Sequence, residues 1–392
     1  MSATNEKRVW QGPSNGHKSF RGFTLISPVE GTQVELVDMK GASVHRWNLP
    51  SKLGTHAVLL SNGNLLCSVC LPSGPLPDFE GSAGKLIELD WESNVVWEYE
   101  DPYMHHDFCR MANGNTVIIR WVETPHDTAV KVKGGVSGTQ RDGIMWSDCL
   151  REVNRSGDTV WEWQSHEHLD PDIDIICPLC YRNEWTHANS IDLHPKDKIL
   201  ISFLKTNSIA IIDKETGIIE WRWGGFLKLA HPHGVAWMDN GNVMVLGCGG
   251  HIAGTEVGDS EILEIDPKTD NIVWDYKEAN STDFYSPCKA GFSLLPNGNI
   301  LVSEGDKGRL FEITVSREIV WEFVNQDRSQ SNIYGANNML FASYRYGHSY
   351  GNLKGNADVG TPGIPLRNEP EGPKEVSEEE KIIQTRLANL GY

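Results

Sequence analysis

Apolar residues along this chain fall in short runs bounded by polar turns, and two phrases built from such runs recur. The first is a turn followed by an apolar run: SNGNLLCSVC, ANGNTVIIRW, HPKDKILISF, DNGNVMVLGC and PNGNILVSEG. Asn-Gly between apolar runs predicts a hairpin leading into a buried strand, because both residues accept positive φ. The second phrase is a short strand ending near an acidic or polar turn, then an apolar stretch closing on tryptophan: LIELDWESNVVWEY, AIIDKETGIIEWRW, LEIDPKTDNIVWDY and FEITVSREIVWEF. The closing tryptophans are Trp47, Trp97, Trp161, Trp221, Trp274 and Trp321, separated by 50, 64, 60, 53 and 47 residues. A unit of four short strands at a period of roughly 40–50 residues is a propeller blade, which cannot cover both of its faces alone and stacks on its neighbours.

The predicted fold is therefore all-β, a six-bladed β-propeller. Five blades are complete in the chain, and the sixth is split. NNMLFASYRY supplies its inner strand from the C-terminal side, and GFTLISP, QVELVDMKG and SVHRWNL supply three strands from the N-terminal side. Joining the two ends in one blade leaves no free sheet edge. The propeller is expected over residues 21–350, with residues 1–20 as an arm and residues 164–184 as an insert before the third blade. Residues 351–392 begin as a Pro/Glu-rich tail and then read as a short amphipathic helix from about Ser377. That helix is expected to dock on the ring or on a second copy of the chain, as a homo-oligomer contact.

Composition narrows the function. Lys and Arg total 35 against 53 Asp and Glu, a formal charge of −18, and no basic stripe interrupts this. A nucleic-acid partner is excluded on that ground. No apolar run reaches the roughly 18 residues of a membrane span. The N-terminal MSATNEKRVWQGPSNGHK lacks the apolar core of a secretion signal. The eight cysteines then read as reduced thiols, and a cytoplasmic location is expected.

Propeller geometry turns the repeat into a site, because the residues starting each innermost strand converge on the axis. The position seven before the first Asn of the NGN turn holds Thr55, His106, His233 and Ala290 in successive NGN blades. The third blade reads WTHANSIDLHPKDK and places His187 and Asn189 at the same strand start. His105 and His231 adjoin, and His251 follows the second strand of the fourth blade. His45, His194 and His348 lie apart and read as ordinary hydrogen-bonding residues. Imidazoles crowded in one funnel have their pKa values pushed apart, giving a neutral nucleophile or base beside a charged stabiliser.

Two other readings of the same residues stand beside this one. His106, His187 and His233, completed by His105, His231 or His251, form a metal shell for a divalent transition metal in a lyase, hydrolase or oxidase. A non-catalytic scaffold binding partners through its faces has no need of axial histidines. CPLC, Cys177 to Cys180, is a single CxxC with no second pair at zinc spacing, although His166 or His187 offers a nitrogen. It reads first as two thiols in an insert shielding the funnel.

The phrases GFTLISP with VELVDMKGASVHRWNLP, HHDFCRMANGN, WTHANSIDL, KILISFLKTNSIAIIDKETGIIEWRWGG, HPHGVAWMDNGN and FASYRYGHSY resemble the arylsulfate sulfotransferase family over about residues 21–350. The resemblance implies a six-bladed propeller that moves a sulfuryl group between phenols without a nucleotide donor or other cofactor. It implies His233 as the nucleophile that carries the group as sulfohistidine. His106, His187 and Asn189 are implied as stabilisers of the sulfuryl oxygens. Members of the family commonly read SSRH where this chain reads SFLK, so Leu204 stands in place of an arginine that clamps sulfate. Lys205 is the expected substitute, with Arg120 and Arg345 as cations from other blades. Tyr103, Trp185 and Tyr285 are placed to stack on an aromatic small-molecule substrate.

Overall fold

The computed structural model describes residues 18–194, 196–251, 258–331, 334–351 and 353. Six four-stranded antiparallel sheets form the blades of a propeller, as the repeat predicts. Their innermost strands are Leu53–Leu59, Met104–Arg110, Ala188–His194, Pro232–Trp237, Ala290–Leu294 and Tyr344–Tyr346. The last of these belongs to the closing sixth blade. There Phe23 pairs with Tyr346 and Thr24 with Arg345, and the order continues outward through Gln33–Val37 and Ser43–Asn48. The amphipathic helix expected from Ser377 lies outside the described residues, as does most of the N-terminal arm. Among the described residues no helix is long and apolar enough to cross a membrane.

The NGN phrase has a structural meaning beyond its turn. Its glycines, Gly63, Gly114, Gly241 and Gly298, have φ between 83° and 88°, which a side chain would strain. The second Asn of each turn donates its amide to a glutamate on the third strand of its own blade. The pairs are Asn64 with Glu88 at 2.8 Å, Asn115 with Glu152 at 2.5 Å, and Asn242 with Glu264 and Asn299 with Glu312, both at 2.6 Å. Three of those carboxylates also take a cation from the following blade: Arg155 on Glu88, Lys214 on Glu152 and Arg345 on Glu312.

The closing tryptophans tie the blades together in the same direction. Each indole N–H reaches the turn between the third and fourth strands of the next blade, at 2.7–3.0 Å. Trp47 donates to Asp90, Trp97 to Arg155, Trp161 to Lys214, Trp221 to Asp270, Trp274 to Val315 and Trp321 to Met39. The last step joins the fifth blade to the sixth, so the series returns to its start.

One excursion was not legible in the repeat. In the second blade, strands Thr116–Glu123 and Trp146–Val153 are separated by a short helix, His126–Ala129, and a strand, Gly134–Val136. That strand pairs in parallel with Ile176–Tyr181 of the 164–184 insert. Arg182 fastens the two by donating to the carbonyls of Val132 and Gly134. Burial of Met145, Ile176, Trp185 and both CPLC sulfurs in one apolar cluster sets the pair firmly on the third blade.

Candidate active site

A cavity of about 460 Å³ opens at one end of the axis, lined by His106, His187 and His233 from three successive blades. A β-bulge interrupts each of the three inner strands at or just after these residues. It falls between His105 and Phe108, between Ala188 and Ser190, and between His233 and Val235. A bulge re-aims the side chain that ordinary alternation would direct elsewhere. His106 and His187 also adopt φ of 51° and 54°, left-handed values that a non-glycine residue holds only when its surroundings impose them. Phe341 closes the floor, its ring centre 6.0 Å from that of His106 and 6.3 Å from that of His233.

Each imidazole is held by a different partner. His233 Nδ1 lies 3.2 Å from the carbonyl oxygen of His231 and 3.1 Å from Cys248 Sγ. A carbonyl can only accept, so Nδ1 carries the hydrogen and Nε2 keeps its lone pair. Burial pushes the His233 pKa down to about 3; the carbonyl bond opposes this, and repulsion from His187 adds to it. His187 Nδ1 lies 2.9 Å from Glu184 Oε2, and the ring centres of His106 and His187 are 4.5 Å apart. His106 Nδ1 meets His105 Nδ1 at 2.8 Å, and His105 Nε2 lies 3.2 Å from Asp148 Oδ1. Burial, followed by the nearby His187 and His105, drives His106 well below the ordinary histidine value.

Glu184 is the buried anion of the site. Burial alone would raise its pKa, but His187 and Lys205 hold it well below the usual carboxylate range. Trp121 Nε1 donates to it at 2.8 Å and Lys205 Nζ at 3.1 Å. Sequence reasoning did not single out Glu184 or Asp148. Glu184 lies three residues before His187 in an irregular loop, where no periodic pattern marks it.

The remaining expected residues are distributed as follows. Asn189 is fully buried; its amide donates to the Pro232 carbonyl at 2.9 Å, so it braces the segment carrying His233 and does not line the cavity. Lys205 is turned to Glu184, Asn183 and the Tyr181 carbonyl, and is likewise outside the lining. Arg120 pairs with Asp101, and Arg345 is wholly buried against Glu312. Tyr103 lies against Trp146, Trp185 donates to the Asp174 carbonyl inside the core, and Tyr285 lies at the side of Glu304. These three aromatics are not in the cavity wall, which instead takes Phe79, Tyr334 and Phe341.

A cation does face the cavity. Lys289, one residue before the Ala290 that the repeat aligns with His106 and His233, lines it with its ammonium 3.8 Å from the centre of the Tyr334 ring. Tyr334 donates to Glu80 at 2.6 Å, and Lys289 helps to hold the Glu80 carboxyl below its ordinary value against the upward push of burial. Aligning the residues on either side of each repeat position would have found Lys289.

His231 and His251 do not join the trio. Among the described residues the one close group of metal-type donors is Cys177, Cys180, His231 and His251, whose ligand atoms all lie within 4.8 Å of one another. His166 and His187 are not part of it, so the partners of the CxxC come from the fourth blade.

Among solved structures, the fold resembles a protein of unknown function from Bacteroides caccae (TM-score 0.50, 13% identity, 78% of this chain and 94% of that one). It also resembles a streptogramin B lyase (TM-score 0.45, 15% identity, 79% and 85%) and a virginiamycin B lyase from Staphylococcus aureus (0.42, 12%, 78% and 85%). At such identities the likeness concerns the fold. No curated protein matches the chain. Arylsulfotransferase (ASST) matches residues 18–228, more than half of the chain, a span that includes His106, His187 and Asn189 and stops just before His233. By that match the chain belongs to the arylsulfotransferase family.

Proposed function

We propose that the protein transfers a sulfuryl group from an aryl sulfate to a phenol, with His233 Nε2 as the nucleophile. The observation that carries this reading is the His231 carbonyl on His233 Nδ1, which leaves the Nε2 lone pair beside His106, His187 and Lys289. In the first step Nε2 forms a bond to sulfur and the sulfur–oxygen ester bond breaks, its electron pair leaving on the phenolic oxygen. A proton from His187, whose other nitrogen is held by Glu184, neutralises that phenolate. The second step reverses the first. The acceptor phenol gives its proton to His187 and attacks sulfur, and the nitrogen–sulfur bond breaks to restore His233.

Charge on the sulfuryl oxygens needs donors fixed in advance. Lys289 is the cation proposed for this role where the family arginine is replaced by Leu204, with His106 beside it in the cavity lining. The cavity is of a size for small aromatic ligands, and Phe79 and Phe341 give it apolar walls. The test is incubation with a chromogenic aryl sulfate and a phenol acceptor, followed by intact mass. The wild type is expected to gain one sulfuryl group and H233A none. Turnover by H233A at the wild-type rate would discard the nucleophile.

A further inference from the structure

We propose that Cys177, Cys180, His231 and His251 bind one zinc ion that fastens the 164–184 insert to the fourth blade. This goes beyond the sulfuryl-transfer reading and does not depend on it. Cys177 Sγ lies 3.6 Å from His251 Nδ1, and Cys180 Sγ lies 3.3 Å from His231 Nε2 and 3.7 Å from His251 Nδ1. A tetrahedral ion with zinc–sulfur bonds of about 2.3 Å and zinc–nitrogen bonds of about 2.0 Å has sulfur–nitrogen edges of ~3.5 Å. The three separations bracket that edge. Two thiols and two imidazoles are also the donor set of a closed structural zinc site, with no position left for water or substrate.

Two of the ligands are fixed by backbone hydrogen bonds to other elements. The Cys177 N–H donates to the Lys205 carbonyl at 2.7 Å, and the His231 N–H to Asn207 Oδ1 at 2.8 Å. His231 and His251 both hold left-handed φ, 46° and 61°, so each backbone is kept in a conformation that turns its ring toward the sulfurs. Both cysteines and His231 are buried, and His251 is exposed. On binding, both thiols lose their protons to solvent, and two thiolates with Zn²⁺ leave the site neutral.

The site adjoins the histidine cavity through two short connections. The His231 carbonyl takes the hydrogen of His233 Nδ1, and Cys180 lies four residues before Glu184, the partner of His187. The ion is therefore placed to set the position of the two imidazoles without touching them, as outer partners do in other buried sites.

The test uses the full chain, purified without an affinity tag under reducing conditions from zinc-supplemented culture. Mass spectrometry of metals is expected to find about one zinc per chain. Cobalt substitution is expected to give the intense visible bands of tetrahedral cobalt–thiolate, and two of the eight thiols are expected to resist alkylation until a chelator is added. C177S/C180S should lose the metal. H251Q, at an exposed ligand that leaves the core intact, should bind zinc about tenfold more weakly or worse. H166Q should bind as the wild type does. A wild type that neither carries zinc nor takes it up when Zn²⁺ is added would overturn the site. So would undiminished zinc in C177S/C180S or H251Q, or recovery of Cys177 and Cys180 as a disulfide from reduced protein. These readouts report no turnover, so failure of the zinc site and failure of sulfuryl transfer are told apart.

Discussion

His187 Nδ1 lies 2.9 Å from Glu184 Oε2, while Trp121 Nε1 holds the other oxygen of that carboxylate at 2.8 Å. The acid thus fixes which His187 nitrogen faces the cavity. E184Q keeps the shape and removes the charge. It is expected to lower the transfer rate by about 10²-fold, measured as kcat with a chromogenic aryl sulfate. A rate within threefold of wild type would show that the charge does not act in the reaction.

Lys289 stands in the cavity wall, whereas Lys205, Arg120 and Arg345 are each paired elsewhere. K289M is expected to weaken kcat/KM for anionic donors by about 10–100-fold, the effect of removing one charge-assisted hydrogen bond. K289R should recover part of it. The same loss in K205M, with K289M unaffected, would move the anion site toward the third blade.

Gly81 approaches the ring of His106 so closely that a Cβ built on it would lie 2.3 Å from Cε1, and its own φ is +75°. G81A is expected to displace the imidazole and to cost about 1–3 kcal/mol of stability. Thermal unfolding and activity together check it, with activity falling more than the change in Tm explains. Full activity would mean that His106 can move without consequence.

Glu88 receives Asn64 from its own blade and Arg155 from the next. Burial raises its pKa, but the amide and the two nearby guanidiniums bring it below the ordinary glutamate value. A lowered carboxyl pKa in the folded state gives stability that is fully present above the ordinary value. That stability fades as pH falls through the folded one. E88Q should therefore be less stable than wild type at pH 7, by about 1 kcal/mol, with the difference shrinking toward pH 3. A gap in Tm that stays constant from pH 7 to pH 3 would contradict this.

The fold was legible because each blade repeats the same two phrases, and the trio because equivalent repeat positions converge on one axis. What stayed hidden arises from residues outside the repeat. Glu184 belongs to a loop with no period, and the 124–145 excursion contains no turn phrase to mark it. The CPLC pair waited for partners because Cys177 and His251 are 74 residues apart and come together only when the fourth blade stacks on the third. Arg120 and Arg345 show the opposite limit. Residue type and blade assigned them a substrate role, but an opposite charge within hydrogen-bonding reach holds each one in the scaffold.

The indole series carries an implication for how the wheel can be cut. Every junction, the seam between Trp321 and Met39 included, is joined by a hydrogen bond from a tryptophan to the neighbouring turn. The split sixth blade is thus held to both neighbours by the same bond that joins the continuous blades to one another. A circularly permuted gene opening at Ser281, between the fourth and fifth blades, leaves every indole-accepting turn uncut, and its product should assemble the same hub of imidazoles.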